Sequence, residues 1–275
     1  MKNIFICFML CMAFALSAEI PQLIMLDSGD LKVRLDGRKR WNMNRIEYLG
    51  ELLCVDNPNA HYGMTCRPAD FKYAVGSGHE ESGYGEKVVS LKIYCDSKEI
   101  VPQKNTPVRG KKIKVEKVSE ILDLDVKYDI LIEKNVISEF IEVTAKKDMK
   151  LHHLYFFMHP WSPSFTDLYF NGKSISFKGD HKFVNRKFVP LCALYDRKTG
   201  CGAATSFRNT RGGKKLMRFI WDRPQYRKDY LCDFFMAGYP AGHTAVYEGK
   251  TAFFRQNDSK KWISDAEEIF KKIKF

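Results

Sequence analysis

The sequence contains no C-x-x-C pair, no glycine-rich loop followed by Gly-Lys-Ser/Thr, no internal repeat and no Pro/Gly/Ser-rich linker. The first absence removes zinc knuckles and thioredoxin-type redox pairs. The second removes a phosphate-binding loop. Nothing therefore calls for a metal or a cofactor. With no linker, residues 19–275 read as one continuous domain, a size normal for a large β-sandwich or barrel. Negative charge is comparatively scarce: Lys and Arg number 45 against 33 Asp and Glu, a formal charge of +12. Past residue 16 no apolar stretch is long enough to span a bilayer, which takes about 20 residues.

What the chain does have begins at its N-terminus. Lys2 supplies a positive start, 4–16 is apolar, and Ser17-Ala18 offer small residues for cleavage, the order of a secretory signal peptide. Residues 1–18 are therefore expected to be removed and the mature protein to be secreted or periplasmic, without a membrane span. Lys2 leaves with the leader, so the mature charge is +11. A charge of that size attracts polyanions, and export turns the expectation from nucleic acid towards acidic glycans. Six cysteines remain: Cys54, Cys66, Cys95, Cys192, Cys201 and Cys232. An even number in an exported protein permits disulfides, with Cys54–Cys66 and Cys192–Cys201 as the local pairs. Buried thiols acting as small hydrophobes are the alternative.

The periodicity is that of strands. Residues 88–95 alternate and are followed by a polar turn at 96–99. Residues 126–133 and 136–144 flank Lys134-Asn135, a two-residue hairpin connection. Further runs lie at 112–116, 154–158, 174–177, 188–194, 216–221, 231–236 and 245–254, the last interrupted at Gly249. Short strands at this frequency predict a mostly β fold, a large antiparallel β-sandwich. One helix is expected at the C-terminus, opened by a capping box at Ser264-Asp265-Ala266-Glu267, with Ala266, Ile269, Phe270 and Ile273 on one face.

Four segments could carry chemistry. The turn-rich 57–68 brings together His61, Tyr62 and Arg67. The 76–86 segment sets His79 beside Glu80 and Glu81 among four glycines. A neighbouring carboxylate orients an imidazole and raises its pKa, which suits acid/base work. The run 152–161 would place His153, Tyr155, Phe157 and His159 on one strand face with His152 opposite. His159 and Trp161 would end it at a rim, where a sugar ring can stack. His153 and His159 are roughly 20 Å apart on an extended chain, too far for one metal. Finally, 221–230 packs Trp221, Arg223, Tyr226 and Arg227 into ten residues, and guanidinium groups bind carboxylate or sulfate bidentately.

The strand layout, with His79, Glu80 and Glu81, the His159-Pro160-Trp161 rim and the Arg223, Tyr226 and Arg227 cluster, resembles the galactose-mutarotase-like sandwich of sugar epimerases and polysaccharide lyases. That resemblance implies a carbohydrate ligand. With the positive charge, it favours an acidic polysaccharide or oligosaccharide and a β-elimination. In such a reaction His79 or His61 would be the base and Tyr62 or Tyr226 the acid. Arg67, Arg223 or Arg227 would clamp the carboxylate, and Glu80, His159, Trp161 and Trp221 would line the site. A glycan-binding or structural envelope protein without catalysis is the other reading. The two are separated by whether these residues converge in one cleft.

Overall fold

A computed structural model of the chain describes residues 20–54, 61–77, 85–185, 187–233 and 238–275. The leader expected at 1–18 and the His79, Glu80 and Glu81 segment lie outside the described residues.

The chain begins with β1 (Leu23–Asp27), β2 (Leu31–Asp36), β3 (Asn42–Tyr48), β4 (Glu51–Leu52), β5 (Gly63–Pro68) and β6 (Val75–Gly76). It continues through β7 (Lys87–Cys95), β8 (Lys98–Ile100), β9 (Val108–Arg109), β10 (Lys112–Ile121), β11 (Leu124–Glu133) and β12 (Val136–Ala145). Next come β13 (Met149–Trp161), β14 (Asp167–Phe170), β15 (Lys173–Ser176), β16 (Phe183–Val184) and β17 (Leu191–Tyr195). The last elements are β18 (Cys201–Arg211), β19 (Leu216–Arg223), β20 (Tyr226–Asp233), β21 (Gly238–Tyr239), β22 (Thr244–Arg255) and α1 (Trp262–Ile273).

Three sheets result. The largest has ten strands in the order β15-β14-β17-β18-β22-β12-β11-β10-β7-β8, all antiparallel. A seven-stranded sheet is built on the path β16-β19-β20-β13-β5-β6, with β21 attached to β13, and a five-stranded sheet runs β4-β3-β2-β1-β9. The ten-stranded sheet is the common wall. Its inner face meets the seven-stranded sheet where Phe156 stacks on Tyr247 at 4.0 Å and Phe157 lies 5.4 Å from Phe207. It meets the five-stranded sheet where Tyr48 lies 5.9 Å from Phe253. This is the mostly β sandwich that the short alternating runs predict.

Alternation explains the central strands. In β10 and β11 every second residue is buried: Ile113, Val115, Lys117, Ser119 and Ile121, then Leu124, Val126, Tyr128, Ile130 and Ile132. The strands β17, β18 and β22 lose that alternation because both their faces are covered. Trp262, Ala266, Phe270 and Ile273 of α1 pack on Ala193, Tyr195, Ala204, Ala252 and Phe254, with Trp262 stacked on Tyr195 at 4.9 Å. Strand β22 runs through Gly249 without a break. A Cβ there would meet the Phe207 ring at 2.7 Å, so glycine makes room for an aromatic ring rather than for a turn.

Three local expectations change. The helix starts at Trp262, and Lys261 at its N-cap makes no side-chain hydrogen bond. Ser264 is therefore inside the helix, and Glu267 accepts from the Tyr169 hydroxyl instead of closing a capping box. The turn after β7 is only Asp96-Ser97, both at positive φ, and Lys98 and Glu99 already belong to β8. No disulfide joins the six cysteines. Cys192 pairs with Thr205 while Cys201 pairs with Arg255. That offset is four rungs or roughly 13 Å, beyond the 7 Å that a disulfide tolerates. Cys54 bridges Trp161 and Cys66 pairs with Leu154, seven residues earlier on the same strand. Burial pushes the Cys66 and Cys232 thiols up to about 12. Among the described residues no helix is long and apolar enough to cross a membrane.

Candidate functional site

The decisive local feature is an irregularity in β13. Its register slips against β20 between Tyr155 and Phe157, and against β5 between Tyr155 and Met158. A bulge places consecutive residues on one side, and both Phe156 and Phe157 point into the core. The strand therefore changes face. His153 and Tyr155, 4.5 Å apart, lie on the outer side of the seven-stranded sheet, whereas His159 and Trp161 lie on the inner side.

This corrects the rim expected at His159-Pro160-Trp161. His159 and Trp161 are both completely buried. His159 is ringed by Tyr62, Phe157, Trp161 and Phe207 at 4.8–5.8 Å. Its Nε2 lies 2.9 Å from a Glu139 oxygen, and Glu139 also accepts from the Tyr128 hydroxyl. Trp161 packs edge-on against Phe165 and Phe253. Neither residue can stack on a ligand from solvent. Tyr62 is buried with them, its phenol pushed well up by burial and by Glu139, so it makes no surface acid. Arg227 also points inward: Asp222 lies 3.2 Å away and the guanidinium covers Phe177. His61 is half-buried next to Tyr62 in sequence.

The outer face of the seven-stranded sheet gathers a different set. Strands β19 and β20 form a hairpin around Pro224-Gln225, so Arg223 pairs with Tyr226, Trp221 with Lys228 and Phe219 with Tyr230. Across the next strand, Cys232 pairs with Tyr155. The rings touch in sequence. Tyr155 lies 5.4 Å from Tyr230, Tyr230 5.0 Å from Phe219, Phe219 5.2 Å from Phe183, and Phe183 5.4 Å from Trp221. Tyr226 meets Trp221 edge-on at 6.4 Å. Cations are interleaved: Arg223 lies over Trp221 at 4.5 Å and Lys228 over Tyr230 at 5.1 Å. From Tyr226 to Cys232 the row follows six residues of β20, about 20 Å. Most of these rings are half-buried, and Phe183 is 40% exposed, while Tyr226 and Lys228 lie deeper at 5% and 2%.

Arg67 completes one end. It pairs with His153 across β5 and β13, and its Nε donates to the Phe71 carbonyl at 3.3 Å. Burial, then the positive charges of Arg67 and His152, push the His153 imidazole down to about 4. Burial raises the Tyr155 phenol to about 12. At neutral pH His153 is therefore a neutral imidazole and Tyr155 a protonated phenol, side by side under a guanidinium. Among the described residues the strands place no carboxylate on this face, and no group of three or more metal-ligating side chains occurs.

Of the residues singled out in the sequence, the structure unites Arg67, Trp221 and Arg223 on this face with Tyr226 buried among them, and turns Tyr62, His159, Trp161 and Arg227 to the inner side. Phe219 lies outside the 221–230 segment to which the sequence points, Lys228 and Tyr230 fall inside it without an assigned role, and Tyr155 is expected to share a face with His159, from which the slip in β13 separates it. Phe219, Trp221, Arg223, then Tyr226, Lys228, Tyr230 alternate across a two-residue connection, which is the signature of one face of a hairpin.

No protein-family model matches the sequence, and no curated protein matches it. Solved structures do match in fold. The Slr1438 protein from Synechocystis sp. superposes with a TM-score of 0.52 at 8% identity, over 93% of this chain and all of that one. A galactose mutarotase related enzyme from Lactobacillus acidophilus gives 0.50 at 8% identity, over 86% and 98%. The GH36 α-galactosidase AgaB from Geobacillus stearothermophilus gives 0.54 at 10% identity over 86% of this chain, which spans about two-fifths of that enzyme. The architecture is thus galactose-mutarotase-like, as the strand layout suggests. At such identity the likeness shows the fold alone.

Proposed function

We propose that the outer face of the seven-stranded sheet binds an acidic saccharide and that Arg67, His153 and Tyr155 act on it by β-elimination. The observation that carries this reading is the row of rings from Tyr155 to Trp221 with Arg223 over Trp221 at one end and Arg67 beside His153 at the other. Aromatic faces take the apolar side of pyranose rings, and cations take carboxylate or sulfate. The fold shared with a galactose mutarotase related enzyme and an α-galactosidase domain supports a sugar ligand.

The chemistry follows from the protonation states. The neutral His153 imidazole removes the proton α to a uronate carboxylate, whose charge Arg67 offsets. The electron pair becomes the ring double bond as the adjacent C–O bond to the neighbouring sugar breaks. Tyr155 gives its proton to the leaving oxygen, and the proton on His153 returns to Tyr155 through solvent. The positive charge of the chain favours the same substrate class. A leader at residues 1–18 would deliver the protein to extracellular polysaccharide, and N-terminal sequencing of protein recovered from the cell exterior tests it.

A panel of uronic-acid polysaccharides, followed by ultraviolet absorbance of the unsaturated uronate, tests the reaction. Absorbance lost in His153→Ala and in Tyr155→Phe supports it. Binding without absorbance on any polymer rejects elimination in favour of a glycan-binding face, a reading that the predominance of rings over titratable groups on this face also favours.

A further inference from the structure

We propose that the ligand of this face is a mixed polysaccharide, with its acid groups set apart and uncharged units over the rings between them; this rests on the acidic-saccharide reading above. The strand pairing sorts the outward side chains into levels. Trp221, Lys228 and Pro160 stand side by side, then Phe219, Tyr230 and Met158. Met217, Cys232 and Tyr155 form the next level. Together the levels span four residues of β20, about 13 Å. Lys228 is the one charged residue among them, and it is 2% exposed with its ammonium over the Tyr230 ring.

Elsewhere in this protein an outward sheet face is charged: the outward residues of β10 include Lys112, Lys114, Glu116 and Glu120. The band under the rings departs from that pattern. On its strands, outward charge among the described residues lies beyond the band. Arg223 stands one level past Trp221 and lies over that ring. Arg67 pairs with His153, two residues before Tyr155 on β13. A carboxylate placed over the band gives up water and meets ring faces that are themselves negative. A neutral unit lays its apolar side on the rings without that cost. A saccharide with one acid group at Arg67 and the next no nearer than Arg223 therefore suits both the guanidinium groups and the band. A saccharide charged at every unit sets carboxylates on the rings.

Calorimetry with the unaltered protein tests this. Three polysaccharides of matched length are titrated: a polyuronate of a single uronic acid, a polymer with one uronate among several neutral sugars in each repeat, and a neutral polymer. The mixed polymer should bind more tightly than the polyuronate by about tenfold or more, the effect of one desolvated, unpaired polar group. A polyuronate that binds as tightly as the mixed polymer overturns the proposal and leaves the acidic-saccharide reading intact. A neutral polymer that binds as tightly, or no heat with any of the three, overturns both. Met217→Lys sets an ammonium in the band without removing a ring. It should raise affinity for the polyuronate and leave that for the mixed polymer unimproved. No rise for the polyuronate, in a variant whose circular dichroism matches the parent, would overturn the charge argument.

Discussion

The Arg218–Asp229 pair sits on the inner side of the sheet whose outer side carries the ring row, and its removal gives a prediction with a definite size. Arg218 is 2% exposed and Asp229 fully buried. Arg218 Nε and a terminal nitrogen reach the two Asp229 oxygens at 3.1 and 2.5 Å. The same guanidinium donates to Thr205 at 2.6 Å and lies over the Phe207 ring. Asp229→Asn keeps the shape and leaves Arg218 charged and buried without a counter-charge. Breaking a buried pair in this way costs about 3–5 kcal/mol. In a chain of this size each kcal/mol lowers Tm by about 2–4 °C, so the midpoint should fall by about 6–20 °C in thermal unfolding followed by circular dichroism. Replacing both partners with apolar residues, Arg218→Met with Asp229→Leu, removes the orphaned charge and should recover most of the loss. Phe219 and Tyr230 flank these residues in the hairpin, so saccharide binding should fail and recover in parallel. A single variant that melts within about 2 °C of the parent, or a double variant as unstable as the sum of the singles, would refute the reasoning.

Four further outcomes are expected. Gly249→Ala drives a methyl group into the Phe207 ring and should destabilise by about 1–3 kcal/mol, read by urea titration. Burial alone would raise the Glu86 carboxyl, but the Lys117 ammonium at 2.8 Å and the hydroxyls of Ser119 and Ser77 hold it below its ordinary value. Its contribution is therefore present above the ordinary carboxylate range and lost as pH falls through the lowered value, so Lys117→Met should move acid unfolding to higher pH. The His153 imidazole, neutral down to about 4, should stay unprotonated from pH 8 to 5 in a histidine NMR titration. Because the unfolded histidine protonates near 6.5, it should make the native state less stable as pH falls from there towards 4. Trp262→Ala removes the stack on Tyr195 and should cost about 3–5 kcal/mol, with near-ultraviolet dichroism reporting release of α1.

The alternation of β10 to β12 and the Lys134-Asn135 hairpin were legible because side-chain period 2 survives wherever one sheet face is covered and the other wet. The helix face Ala266, Phe270 and Ile273 was legible for the same reason at period 3.6. The faces of β13 were not. A single extra residue in the ladder inverts every side chain after it, and the sequence His152 to Trp161 carries no glycine or proline at the slip to announce it. The slip after Tyr155 sets His159 and Trp161 in the core while His153 and Tyr155 face out, and a second slip lies between Leu151 and His153. Strands β1 to β4 are not among the expected runs, although 31–36 alternates as 112–116 does. Cysteine number suggested crosslinks, yet rung distance along a shared strand decides whether two thiols can meet, and that distance is not written in the spacing. Trp221, Arg223 and Tyr226 are legible because hairpin neighbours in sequence are neighbours in space, and Arg67 because it sits in the turn-rich segment 57–68. Their junction with His153 required the β13–β20 pairing, which joins residues some 75 positions apart.

Among the described residues the three sheets finish at β4, β9, β15, β8, β16 and β6, and none of these six strands exceeds four residues. A long unpaired strand edge is a template on which another chain can add itself. Here the ten- to thirteen-residue strands all lie inside, already paired on both sides, and Lys98 and Lys173 stand on the two margins of the largest sheet. The short end strands leave part of the next strand open: among the described residues β8 covers only 93–95 of β7, so 87–92 keeps a free edge, and Lys87 and Lys92 on it oppose the addition of another chain.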